Sequence, residues 1–262
     1  MQRDKIMAKH RIAIGPILII FGLAACNQFA RNDQHTAPEN SNELAVANLN
    51  LGVEYMQQHE YEKSLDKLNK ALAADRNYIP TYNALGLLYQ KLGKNEEADQ
   101  YFRHALSIKA SDPNTLNNYG QFLCSTKHYD EAQELFLKAA ADPLYETPEF
   151  AITNAGICAL NNNQPDVAES YFRKALDKNP RIPNALIQMA QLEYNSGNYL
   201  AARGYLQRYL NISRHTSASL WLGIQIEQKL GDKNTLASYV LLLKNNFPDT
   251  KEAGLLKESG LK

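Results

Sequence analysis

A mostly large residue followed by glycine or alanine recurs along the chain at Leu51-Gly52, Leu85-Gly86, Tyr119-Gly120, Ala155-Gly156, Met189-Ala190 and Leu222-Gly223. Successive small residues stand 34, 34, 36, 34 and 33 positions apart. A second series follows 12 residues behind each of the first five: Ser64, Ala98, Ala132, Ala168 and Ala202. A third is large (Leu68, Phe102, Phe136, Phe172, Leu206), and a fourth runs Ala71, Ala105, Ala139, Ala175 to Tyr209. The small positions remove side chain where two helices cross, and the large ones fill the neighbouring gap. Each unit therefore reads as two antiparallel helices, A and B. Turn residues fall between them at Gly93-Lys94-Asn95, Asn162-Asn163-Gln164-Pro165, Ser196-Gly197-Asn198 and Gly231-Asp232. Helix B stops ahead of Asp112-Pro113, Asp142-Pro143, Asn179-Pro180 and Phe247-Pro248, where proline cannot carry the hydrogen-bond ladder.

These series match the tetratricopeptide period and pattern. The expected fold is all-α: a right-handed superhelix of about six helix-turn-helix repeats spanning 44–249. The units are placed at 45–78, 79–112, 113–146, 149–182, 183–215 and 216–249. The last carries Thr235 where alanine is expected, as an atypical capping unit would. Residues 250–262 form a tail that can add a short end helix.

The concave face of such a solenoid is lined by helix A. In the first repeat its positions give Val46, Leu49, Val53 and Met56, a continuous apolar stripe at spacings of 3, 4 and 3. The core stripe of the same helix is placed separately, through Leu51, Gly52 and Tyr55. Leu87 extends the concave stripe into the second repeat. Asn83, Asn117, Gln121, Asn184, Gln191 and Asn195 present amides along the same face, able to hold a peptide backbone through paired donors and acceptors. The stripe can accept an amphipathic helix or apolar segment, or it can pack against a neighbouring helix. Leu49, Val53 and Ala84 stand where a carboxylate clamp would need Lys and Asn, which disfavours capture of a chaperone tail.

The chain opens differently. Lys9-His10-Arg11 precedes an apolar run from Ile12 to Ala25, shorter than the roughly 20 residues a spanning helix needs. Met7 is an alternative start. Residues 1–25 read as an export signal, and Leu23-Ala24-Ala25-Cys26 resembles the bacterial lipobox. That resemblance implies cleavage before Cys26, acylation of its sulfur and amine, and, with Asn27 following, sorting to the outer membrane. Residues 26–43 then form a lipidated, polar tether with a root-mean-square reach of roughly 20–25 Å. The chain's formal charge is zero. Residues 1–25 hold Arg3, Lys5, Lys9 and Arg11 against Asp4, so the remainder is mildly acidic and no pull toward nucleic acid is expected.

Cys124 and Cys158 lie on the A helices of adjacent repeats, about 200° apart in helical phase. In an oxidising compartment they can form a bridge between those helices; the alternative is two small buried hydrophobes.

No catalytic constellation accompanies the repeats. G-x-S-x-G, a phosphate-binding glycine loop and H-E-x-x-H are missing from the sequence. His59, His104, His128 and His215 fall in separate units without metal-ligand spacing and read as surface residues. No enzyme activity, cofactor, metal or small-molecule substrate is expected.

Four stretches narrow the family: Asn117-Asn118-Tyr119-Gly120-Gln121-Phe122-Leu123-Cys124, Ala141-Asp142-Pro143-Leu144-Tyr145-Glu146-Thr147-Pro148, Asn154-Ala155-Gly156-Ile157-Cys158-Ala159-Leu160 and Leu220-Trp221-Leu222-Gly223-Ile224-Gln225-Ile226-Glu227. They resemble the type IV pilus biogenesis lipoproteins PilW and PilF, the secretin pilotins. The lengthened interval falls in the Asp142–Pro148 turn, as in that family. The resemblance implies a lipid-anchored outer-membrane protein facing the periplasm. Its partner would be a PilQ-like secretin, which it helps to localise and multimerise. The alternative is another periplasmic adaptor lipoprotein, serving outer-membrane protein assembly or cell-wall enzymes.

Overall fold

A computed structural model describes residues 39–261, so the signal stretch, Cys26 and most of the expected tether lie outside the described residues. Those described form thirteen helices and no strand. The first repeat is α1 (Glu39–Gln57) and α2 (Tyr61–Ala74), the second α3 (Ile79–Lys91) and α4 (Asn95–Ile108). The third is α5 (Pro113–Ser125) and α6 (Tyr129–Ala141), the fourth α7 (Pro148–Asn161) and α8 (Pro165–Lys178). The fifth is α9 (Pro183–Asn195) and α10 (Tyr199–Leu210), the sixth α11 (Ser217–Leu230) and α12 (Lys233–Asn246). A final helix, α13 (Lys251–Glu258), follows.

Helix α1 begins inside the stretch assigned to the tether. Once its core stripe is fixed against α2 and α3, adding turns at the N-terminal end costs little, and Pro38 marks a natural stop.

Each helix A packs on its own helix B, and each helix B on the next helix A. The small-residue series explains how closely. A Cβ built on Gly86 would meet the Phe102 ring at 2.8 Å, and one on Gly156 the Phe172 ring at 2.6 Å. Gly52 stands to Leu68, Gly120 to Phe136 and Gly223 to Tyr239 in the same relation. Phe102, Phe136 and Phe172 are fully buried, each contributing about 1.5–3 kcal/mol of transfer free energy. Where serine replaces alanine in the second series, Ser64 donates its buried hydroxyl to the Gly52 carbonyl at 2.7 Å. The polar group is satisfied without widening the helix pair.

The A–B turns share one geometry. The chain passes through a left-handed residue at His59, Gly93, Lys127, Asn163, Gly197 and Gly231, with φ between 55° and 81°. At the Gly93 turn its N–H bonds the Gln90 carbonyl, and the next N–H reaches the Tyr89 carbonyl at 2.9 Å, closing the last turn of helix A. Side-chain caps close some of the B–A connections. Asp112 accepts from the Thr115 N–H at 2.8 Å ahead of Pro113, and Thr216 with Ser219 forms a capping box on α11.

The two ends of the stack differ. At the C-terminal end α13 takes the place of a seventh helix A, burying Ala253 and Leu256 against α11 and α12. At the N-terminal end Leu51, assigned by the sequence to the core, is 42% exposed. The core stripe of α1 is Ala45, Leu49, Gly52 and Met56. Leu51 points toward the place of a preceding helix B, and the described residues contain none.

Candidate partner-binding groove

Helix α1 meets α3 through Leu49 and Met56, which pack with Ala84, Leu85 and Leu88. These two members of the expected concave stripe are thus largely buried by a neighbouring helix. Val53 is half-buried and Val46 is 36% exposed. The stripe divides by phase: at 100° per residue, 49 and 56 turn toward α3, while 46 and 53 turn toward solvent. Leu87 on α3 is half-buried on the same side.

Between these helices lies a cleft of about 740 Å³, bounded by Leu49, Val53, Met56, Asn83 and Leu87 of the expected set. Five more side chains complete the apolar wall and the rim: Ile79, Pro80, Ala84, His59 and Lys91. Asp112, Asn114 and Asn118 close it on the α5 side. Val46, Asn117 and Gln121 do not line it. Pro80, Lys91 and Asn114 occupy the same repeat positions as residues that were named, so the repeat register alone could have found them. His59 could not be found that way, because it enters through the turn.

The expected amides divide: Asn83 and Asn117 bond across repeats, while Gln121, Asn184 and Asn195 are exposed. Asn83 donates through Nδ2 to Thr115 Oγ1 at 2.9 Å, and Thr115 passes its own proton to Asp112 Oδ2 at 2.7 Å. With the Thr115 hydrogen committed, the Asn83 amide must be the donor, and its Oδ1 is left buried with no partner among the described residues. Asn154 donates to Asn117 Oδ1 at 2.9 Å, and Gln191 to Asn195 at 2.9 Å. Gln121 is exposed and reaches back to the Asn117 carbonyl. Two of these bonds, Asn83–Thr115 and Asn154–Asn117, link repeat to repeat; the others stay within one helix.

The sulfurs of Cys124 and Cys158 meet between α5 and α7, with Cα atoms 5.7 Å apart. Cys124 also receives the Asn161 amide at 3.7 Å. Further along, charged pairs brace the stack. Arg203 of α10 binds the buried Glu227 of α11 through Nε at 2.9 Å and again through its terminal nitrogen. Arg173 of α8 reaches Glu193 of α9 at 3.1 Å.

A second cleft of about 660 Å³ lies between α4 and the α5–α6 turn, and its one arginine is paired within it. Arg103 donates to Asp99 at 2.7 Å, and the Tyr119 hydroxyl donates to the same carboxylate at 2.5 Å. Burial alone would push Asp99 up; those two bonds outweigh it and hold the carboxyl below its ordinary value. Burial and the adjacent Asp99 push the Tyr119 hydroxyl well above the usual phenol range.

His59, His104 and His128 are exposed as expected, whereas His215 is half-buried. It lies edge-on to Tyr239, with Nδ1 lacking a partner, and burial lowers its pKa. Among the described residues no group of three or more His, Cys, Asp or Glu could hold a metal ion, and no helix is long and apolar enough to cross a membrane.

The tetratricopeptide repeat family matches residues 43–111 and 153–219. The chain is 32% identical to the type IV pilus assembly protein PilF of Pseudomonas aeruginosa over 235 residues, 90% of this chain and 93% of that one. A Haemophilus influenzae protein of uncharacterised role is 30% identical over 54% of this chain and 79% of its own length. A solved structure of Pseudomonas aeruginosa PilF superposes with a TM-score of 0.74 at 32% identity, covering 84% of this chain and all of that one. The crystal structure of PilW, a widely conserved type IV pilus biogenesis factor, superposes at 0.72 and 31% identity, covering 82% and 99%. Similarity of that extent, over nearly the whole length of both chains, places this protein in the family of tetratricopeptide type IV pilus biogenesis proteins to which PilF and PilW belong.

Proposed function

We propose that the chain is a pilotin: a lipoprotein, acylated at Cys26 and held at the outer membrane, that binds the pilus secretin and promotes its localisation and multimerisation. The observation that carries this reading is the apolar cleft of the first two repeats in a chain of the pilus biogenesis family. Leu49, Val53, Met56 and Leu87 offer an apolar wall with polar side chains at its rim, a chemistry suited to an apolar segment of another protein. The bridge between Cys124 and Cys158 belongs to the same reading, since the periplasm is oxidising. No reactive cluster accompanies the cleft, which supports a binding role over catalysis.

The test is a strain whose only copy carries Val53→Asp together with Leu87→Asp, both half-buried on the cleft wall. Secretin multimers, read on heated and unheated gels, should fall at least tenfold, with helical content of the purified protein unchanged. Normal multimers at normal protein levels would refute the reading and favour a different envelope partner.

A further inference from the structure

The open N-terminal end of the stack presents a second surface, on the opposite side of α1 from the cleft. Internal repeats act as a control for it. The residue before the small position is 0% exposed at Leu85, 4% at Tyr119, 0% at Ala155, 0% at Met189 and 3% at Leu222, but 42% at Leu51. In each internal case the preceding helix B covers it, as the Asp99–Tyr119 bond from α4 to α5 shows directly. Leu44, two turns earlier on the same face, is 55% exposed, and Tyr55, a turn later, is half-buried.

The face toward a preceding helix A is different. Its internal positions hold Leu88, Phe122 and Cys158, all buried, then Leu192 and Gln225, both half-buried, and the Cys124–Cys158 contact shows that this position meets the helix A before it. In the first repeat the corresponding residue is Glu54, exposed. The first repeat therefore carries an exposed charge where a preceding helix A would sit, and leaves Leu44, Leu51 and Tyr55, with Asn48 among them, where a preceding helix B would sit. A bare solenoid end would be expected to be polar on both.

We propose that this end receives one amphipathic helix from another protein, seated as the helix B that would precede α1, a place that no described residue fills. The internal B helices α2, α4, α6, α8 and α10 are 12–14 residues long, which sets the length of the segment that fits. Its apolar residues should recur at i, i+3, i+4 and i+7. The exposed acids Glu43 and Glu54 favour a basic edge on it. The chain's own residues 27–38 do not fit, since they hold only Phe29, Ala30 and Ala37 as apolar side chains, without that spacing. Stacking of a second copy head to tail is blocked by α13.

This inference is separate from the cleft, and its test uses residues the cleft does not. A photo-crosslinking amino acid is placed at position 51 of the full-length protein in piliated cells, with position 69 on exposed α2 surface as control. The cross-linked peptide is mapped and synthesised. The proposal expects a segment of another protein with the stated apolar spacing. That peptide should bind the purified protein at least tenfold more tightly than it binds a Leu44→Glu, Leu51→Glu variant of unchanged helicity. Cross-links to residues 1–38 of the same chain, to a second copy, to a non-helical segment, or to nothing would overturn it. A secretin assembly defect in the cleft variant with no product at position 51 would sink this proposal and leave the pilotin reading standing.

Discussion

Three of the six left-handed turn residues are not glycine. His59, Lys127 and Asn163 hold φ of 61°, 67° and 55°, a region that costs an L-residue roughly 1–2 kcal/mol. Asparagine tolerates it best of the three. Lys127 is exposed, and its side chain has no recorded bond that would offset the strain. Lys127→Gly should therefore stabilise the protein by about 0.5–1 kcal/mol, the left-handed penalty less the entropy glycine adds to the unfolded chain. A urea midpoint that fails to rise would show that the turn is unstrained. The sequence marks the glycine turns and Asn163 openly. It hides His59 and Lys127, because a left-handed φ there is imposed by the two helices the turn joins and leaves no trace in residue type.

Helix pairing was the most legible level. A glycine 16 residues ahead of a Phe or Leu states both the helix crossing and its partner, and the structure shows those contacts at Gly52–Leu68, Gly86–Phe102, Gly120–Phe136 and Gly156–Phe172. Exposure at an end could not be read the same way. Leu51 and Leu85 both stand directly before the small glycine of their repeats, and what separates their exposure is the helix B that packs on one side of Leu85 and not of Leu51. The concave stripe was half legible for a related reason: Leu49 and Met56 fit its spacing, yet their phase turns them onto α3. Between elements, the Cys124–Cys158 contact closes a loop with a sequence separation of 34. If the pair is oxidised, thiol titration of the unfolded, unreduced mature protein finds no free thiol, apart from any unacylated Cys26. Reduction should then cost about 3–4 kcal/mol, seen as a lower denaturant midpoint. Two free thiols in that titration would dismiss the bridge.

Across the whole molecule, stability is a chain of neighbour contacts, so the ends matter more than in a domain with one central core. Leu220 and Ile224 of α11 share a buried cluster with Leu256 of α13. Removing residues 251–262 should uncover them. Hydrogen exchange in α11 and α12 should then speed up by at least tenfold, while α3 to α6 keep their protection. Uniform protection after truncation would mean that the last repeat closes itself without α13. The Arg203–Glu227 pair lies one junction further in, and should hold α10 in place while α12 frays.

On the pilotin reading proposed above, the protein would be fastened to a bilayer at one end and grip a large assembly along its side, and so would bear tension. Solenoids loaded from a terminus unravel one unit after another, because each unit is secured only by the next. Here a pull from the N-terminal side would peel α1 and α2, then α3 and α4. It would then reach α5, whose link to α7 through Cys124 and Cys158, once oxidised, cannot lengthen without breaking a covalent bond. The staple sits at the one junction where the spacing between units grows to 36 residues. Unravelling would stall there, and the later repeats would remain as a folded seed from which the first two could rewind.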